Sequence, residues 1–284
     1  MVLSLQSNRS LSEFSTFGIG GPIRYLAEVT SFEEMEEAFA LKLPFFILGK
    51  GSNCLFDDRG FDGLVILNKI DFCSFTDTEV SVGAGYSFSL LGVQSARKGL
   101  SGLEFACGIP ATVGGAVFMN AGANGCETCN SLASVLYLHA DGSRREYQRE
   151  ELTFGYRKSS FQSMFGAILS AHFSLTPREE ARKAQLQIIE TRMKTQPLKE
   201  KSAGCVFRNP APTLSAGALI DRCGLKGAAM GGAKVSEIHA NFLINTGSAS
   251  SQDMLSLIRL VQEKVFEQTG VYLEPEIRLV DATN

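Results

Sequence analysis

Between Ser250 and Gln268 apolar residues recur every three or four positions, placing Met254, Leu257, Ile258, Val261 and Val265 on one side. That period is the mark of a helix with one buried face. Ser250 caps it, Asp253 closes a capping box, and Gly270 stops it. The same pattern predicts a helix over Ser31–Leu41, capped by Ser31 with Glu34 as the box partner and Met35, Ala38 and Phe39 inward. Ser87–Lys98 reads as a helix stopped by Gly99, and Leu214–Cys223 as one ended by Gly224. Arg178–Lys194 is charge-rich, with Leu186, Ile189 and Met193 as its apolar side.

Strands follow from shorter patterns. Pro44–Leu48 is a continuous apolar run of the buried kind. Ile23–Val29, Leu64–Asn68, Glu79–Gly85, Ala167–Leu175 and Ala240–Asn245 read as further strands. Ser134–His139 and Arg144–Tyr147 flank Asp141-Gly142, which predicts a hairpin with a primed turn. Val271–Val280 reads as a last strand, with Pro275 pointing to an edge or a bulge.

One stretch fits neither pattern. From Glu104 to Gly125 the chain is crowded with Gly and Ala, and after Glu104 no charge appears until Glu127. Glycine costs backbone entropy, so such a run suits close approach of bare backbone to a large flat group. A tightly packed buried helix with its flanking turns is the other reading. Composition narrows the rest. The chain has 284 residues, 44% of them hydrophobic, enough for two or three ordinary domains. A net charge of −3 gives no basic field for nucleic acid. No apolar run reaches bilayer length, and the N-terminus lacks a signal-peptide core, so a cytoplasmic protein without membrane insertion is expected. Seven cysteines in such a chain are expected as reduced thiols.

Candidate chemistry sits at four places. Gly49-Lys50-Gly51-Ser52-Asn53 leaves a buried strand and has the parts of an anion nest, without the spacing of a phosphate-binding P-loop. Arg157, in Gly155–Ser160, offers a guanidinium fork suited to a carboxylate. Cys205 lies among small residues before a strand, and a thiol yields a proton near neutrality more readily than a hydroxyl. In Leu273–Arg278, alternation puts Glu274, Glu276 and Arg278 on one strand face. Each has a plainer alternative: a turn, a surface ion pair, an inert thiol, a solvated edge. The pair Cys126 and Cys129 has no second pair at zinc-site spacing and is read as structural.

Taken in order, STFGIG at Ser15, GKGSN at Gly49, GIPATVGGA at Gly108, GYRKS at Gly155, SAGCVFRNP at Ser202 and LEPEIR at Leu273 resemble the UDP-N-acetylenolpyruvoylglucosamine reductase family over nearly the whole chain. The resemblance implies an α+β protein: a two-part FAD-binding unit of the vanillyl-alcohol-oxidase type (1–70 and 71–176) and a substrate-binding domain (177–284). It implies tightly bound FAD, NADPH as co-substrate, a UDP-sugar enolpyruvate as substrate, a role in peptidoglycan precursor synthesis, and a monomer. It implies cofactor contacts from Gly49, Lys50, Gly51, Ser52 and Asn53, and from Gly108, Ile109, Pro110, Thr112, Gly114, Gly115, Ala116 and Gly122. Arg157 matches the arginine that binds the enolpyruvyl carboxylate, Glu276 the carboxyl of the final strand, and Cys205 the proton donor, where many members carry Ser. Asn209, His239 and Arg278 fall at substrate-binding positions. The short interval between Arg157 and Cys205 marks the second, shorter type of the family. An FAD-linked sugar or alcohol oxidase on the same flavin-binding unit is the alternative.

Overall fold

The computed structural model describes residues 3–281. They form two compact units. The first holds residues 3–6, 26–50 and 63–192. One of its sheets orders Leu5–Gln6, residues 26–29 of the strand Pro22–Val29, residues 63–68 of the strand Phe61–Asn68, and Phe45–Leu48, the last two parallel with Phe45 opposite Leu64. Helix α1 (Phe32–Ala40) follows the Pro22–Val29 strand. The Ser31 hydroxyl takes the Glu34 N–H at 3.2 Å, as the capping pattern requires. The Glu34 carboxylate closes one residue further back, on the Thr30 N–H at 2.7 Å.

The second sheet of this unit is antiparallel throughout: Arg144–Gln148, Leu132–His139, Gly166–Ser174, Glu79–Gly83 and Cys73–Thr76, in that order. Val80, Val82, Val135 and Phe173 turn into a core shared with Phe88 and Leu91 of α2 (Phe88–Arg97) and with Val113, Ala116 and Val117 of α3 (Val113–Phe118). The hairpin stands where the pattern put it, but its turn is not primed: of Asp141 and Gly142 only the glycine has positive φ, at +89°. The Asp141 carboxylate instead takes the Ser143 N–H at 2.9 Å and fixes a wider loop.

Helix α4 (Ala181–Thr195) corrects the expected apolar side. Leu186 is 49% and Met193 69% exposed, whereas Ala181 and Gln185 are buried. The buried Gln185 faces the Cys107 thiol and takes the Arg182 guanidinium on its Oε1, and Arg192 Nη2 donates to the Gly108 carbonyl at 2.9 Å. Such a polar lining suits Gln and Arg, not a leucine stripe.

The second unit holds residues 7–25, 51–62 and 193–281. Helix α5 (Ala216–Arg222) and helix α6 (Ser251–Thr269) pack on strands Ala233–Val235 and Leu243–Asn245. Every residue of the predicted α6 stripe is buried, and Gly270 ends the helix at φ +71°. Each of those side chains contributes about 1.5–3 kcal/mol on burial, well beyond the few tenths that separate residues by helix propensity. Phe17, Ile19 and Leu55 complete the same core. The last predicted strand is mostly irregular. Only Arg278–Val280 forms a ladder, parallel to Cys54–Phe56. Pro275 has no N–H to continue one and makes an isolated pairing with Phe207.

Candidate functional site

In the first unit the glycine-rich stretch is held by its own neighbours. Thr112 caps α3, its hydroxyl taking the Gly115 N–H at 3.2 Å. The N–H groups of Val113 and Gly114 go to the carbonyls of Tyr86 and Ala84 at 2.9 and 2.8 Å. Ala116 is fully buried in the core, and Ile109 packs against it. Gly108, Pro110 and Gly115 lie exposed. A methyl group on Gly49 would strike Thr112 Oγ1 at 2.5 Å, and one on Gly114 would press on Ala84. Gly108 abuts Arg192, and its N–H donates to Ser89 Oγ at 2.8 Å. Lys50 is exposed and donates to Ser87 Oγ at 3.2 Å.

Arg157 occupies the two-residue turn between Phe154–Gly155 and Lys158–Ser159, at φ +58°. That conformation normally falls to glycine, and a non-glycine residue held there is a frequent sign of a functional position. Its Nη2 donates to the Gly122 carbonyl at 2.9 Å, and its guanidinium lies over the Tyr156 ring at 4.7 Å. A Cβ on Gly122 would approach Arg157 Nη1 to 3.3 Å. The turn is pinned from two sides. Fully buried Asn120 donates to the Gly155 carbonyl at 2.9 Å, and Gln162 Nε2 donates to the Arg157 carbonyl at 3.1 Å. The asparagine stands in the glycine-rich stretch, but nothing in its spacing tells that it reaches residue 155.

In the second unit three segments lie side by side. The stretch 205–208 pairs on one side with 241–242: Val206 N–H donates to the Asn241 carbonyl at 2.8 Å, and Cys205 bridges to Phe242. On the other side it meets 274–276: Glu276 N–H donates to the Val206 carbonyl at 2.7 Å, and Arg208 N–H to the Glu274 carbonyl at 2.9 Å. Cys205 and Glu276, seventy-odd positions apart in sequence, thus stand on adjoining backbones. Asn53 joins the group, its Nδ2 donating to the Glu276 carbonyl at 3.3 Å and its carbonyl accepting the Arg278 N–H at 2.9 Å.

Between the Lys201–Asn245 and Cys205–Phe242 bridges the register slips by one residue, and Gly204 sits in the slip at φ +74°. A bulge of this kind re-aims the side chain that follows it. Asn209 Oδ1 takes the Ala216 N–H at 3.1 Å just ahead of α5. His239 is partly buried against Gly217 and Phe242. Burial holds its imidazole below the ordinary histidine range, with the charge of Lys226 acting in the same direction. Its Nδ1 accepts the Asn241 N–H at 3.3 Å, which leaves the ring proton on Nε2.

Gly51 is buried, and a Cβ there would strike the Phe14 carbonyl at 2.0 Å. The backbone N–H groups of Lys50, Gly51 and Ser52 make no backbone hydrogen bond to the described residues. A loop with unspent N–H groups on a glycine corner is a fitting cradle for a pyrophosphate. Among the described residues no group of three His, Cys, Asp or Glu could hold a metal. Burial pushes the thiols of Cys54 and Cys107 up to about 11, so both stay protonated and inert at neutral pH.

Comparison with known proteins adds three findings. Residues 196–280 match the model "UDP-N-acetylenolpyruvoylglucosamine reductase, C-terminal domain", and residues 26–147 match an FAD binding domain. A UDP-N-acetylenolpyruvoylglucosamine reductase of Protochlamydia amoebophila is 56% identical over 280 residues, 97% of this chain and 93% of that one. One from Chlamydia trachomatis is 50% identical, covering 98% of this chain and 96% of its own. The crystal structure of the corresponding reductase from Thermus caldophilus superposes with a TM-score of 0.84 at 40% identity, over 98% of this chain and 99% of that one.

Proposed function

The chain belongs to the UDP-N-acetylenolpyruvoylglucosamine reductase family, and from that premise we infer that it reduces the enolpyruvyl group of UDP-N-acetylglucosamine enolpyruvate to UDP-N-acetylmuramate with NADPH, in peptidoglycan precursor synthesis. Identity of 56% over 97% of the chain is the observation that carries this reading. It is an FAD-dependent oxidoreductase, in keeping with the FAD binding domain at 26–147. The chemistry that FAD supplies when bound is the carriage of a hydride from NADPH to the vinyl carbon C3.

The residues divide the remaining work. The Gly49–Asn53 loop would hold the pyrophosphate on its N–H groups, and the stretch from Gly108 to Gly122, with Ile109, Pro110, Thr112, Gly114, Gly115 and Ala116, would line the ring. Arg157, already bent into a strained turn, grips the substrate carboxylate and offsets the charge that develops at C2. Cys205 gives its proton to C2, and Glu276 steadies the charged intermediate from the adjoining strand. His239, protonated on Nε2, donates to the substrate, while Asn209 holds the UDP moiety and Arg278 binds the substrate. We also propose two flavin-binding parts, 1–70 and 71–176, a substrate domain, 177–284, and a cytoplasmic monomer. Among the described residues no helix is long and apolar enough to cross a membrane.

The test is spectroscopic and kinetic. The purified protein carries an oxidised-flavin absorbance band that NADPH bleaches and the enolpyruvyl sugar nucleotide restores. A protein that binds no FAD, or whose flavin is reoxidised only by oxygen after a sugar or alcohol has reduced it, overturns the reductase reading.

A further inference from the structure

We propose that Asn241 is the positioning residue for Cys205, an inference that rests on the reductase reading above. Asn241 is 2% exposed and spends both ends of its amide on one neighbour. Its Oδ1 takes the Phe207 N–H at 2.9 Å, and its Nδ2 donates to the Phe207 carbonyl at 2.8 Å. Its own carbonyl accepts the Val206 N–H at 2.8 Å. Three hydrogen bonds thus fasten the two residues that follow Cys205.

The backbone that follows Cys205 is laddered to 274–276 but only in part to 241–242. Upstream, the Gly204 slip removes the regular register. Downstream, the facing segment takes up the Val206 carbonyl and the Arg208 N–H and leaves the N–H and carbonyl of Phe207 pointing to the other side. The side-chain amide of Asn241 meets those two groups, where a regular strand would have offered backbone. Through Val206, whose carbonyl accepts the Glu276 N–H at 2.7 Å, the same clamp sets the level of Glu276 against Cys205. Asn241 itself is buried behind Phe207 and acts on the substrate only through Cys205. Buried paired amides are worth keeping only where fully satisfied, as this one is on the Phe207 side.

The experiment separates the two half-reactions in the FAD-loaded protein. Misplacing a reacting group by about 1 Å costs on the order of 10²-fold. Asn241→Ala should therefore slow reoxidation by the enolpyruvyl sugar nucleotide about 10²-fold, with reduction by NADPH kept within about twofold. In a Cys205→Ala background the same substitution should cost less than about threefold, since effects that run through one group do not add. In the FAD-free protein the Phe207 amide should exchange about tenfold faster in the variant, while amides of α6 keep their protection. Should Asn241→Ala fail to fold, Asn241→Asp, which keeps size and acceptor but loses the donor, carries the same comparison. Unchanged reoxidation, equal slowing of both half-reactions, or equal slowing with and without the Cys205 thiol each overturns the proposal. Failure of the unmodified protein to be reoxidised by the sugar nucleotide instead overturns the reductase reading.

Discussion

A thiol and a hydroxyl differ in two ways that matter at position 205. A free thiol ionises near pH 8.5 and so parts with a proton at modest cost, whereas a serine hydroxyl does so only when assisted. The hydroxyl makes the stronger hydrogen bond. Replacing Cys205 by Ala should leave flavin reduction by NADPH fast and slow reoxidation by the sugar nucleotide about 10²–10⁴-fold; stopped-flow absorbance reads both. Cys205→Ser should recover most of the loss, and a Cys205→Ala protein that reoxidises at the original rate would remove the donor assignment. Cys205, Arg157 and Glu276 can be proposed from the sequence because their residue types sit in recognisable local strings. Asn120, Gln162 and Asn241 were not. Each is a polar residue whose partner lies between five and thirty-five positions away, and no local pattern announces such a bond.

At the scale of the element, the bulge before Cys205 makes a sharp demand. A Cβ at Gly204 would meet nothing within 4 Å, so the requirement is conformational alone. Gly204→Ala should cost about 1–2 kcal/mol, the ordinary penalty for a left-handed alanine, measured as a shift in the denaturant midpoint. It should also slow reoxidation more than reduction. Helix α6 supports a pH prediction. Backbone hydrogen bonds from Ser250 and Gly232 hold the Asp253 carboxyl below the ordinary aspartate range. A carboxyl lowered in the folded state stabilises above its unfolded value, about 3.9. That contribution fades as pH falls through the lower folded value. The Tm gap between the unmodified protein and Asp253→Asn should be full near neutrality and should close below about pH 4. Periodicity found α6 to within a residue because burial and pattern coincide there. It misread the inward face of α4, where Ala181 and Gln185 are the buried residues, and the Asp141-Gly142 turn, where a side-chain bond selected another loop.

At the scale of the whole molecule, the second unit is assembled from three stretches of chain. Phe17, Ile19 and Leu55 share one core with Leu257 and Val261, and Cys54–Phe56 supplies the partner strand of Arg278–Val280. A fragment of residues 193–284 lacks all of these contributions. It should show no cooperative unfolding transition in calorimetry, although residues 196–280 match a domain model by themselves. A fragment that melts cooperatively and protects the α6 amides would contradict this. Reading the chain in order groups sequence neighbours. The membership of 7–25 and 51–62 in the same unit as the C-terminal residues depends on contacts made across two hundred positions.

The sequence by itself determined the helices with a buried stripe and a cap, the strands with a continuous apolar run, and the family, because each rests on residues close together in the chain. Tertiary structure alone decided which backbone lies beside Cys205, why Gly51 and Gly114 must be glycine, and what holds Arg157 in its turn. Those outcomes depend on hydrogen bonds and close approaches between segments far apart in sequence. Their energies exist only once the chain has closed on itself.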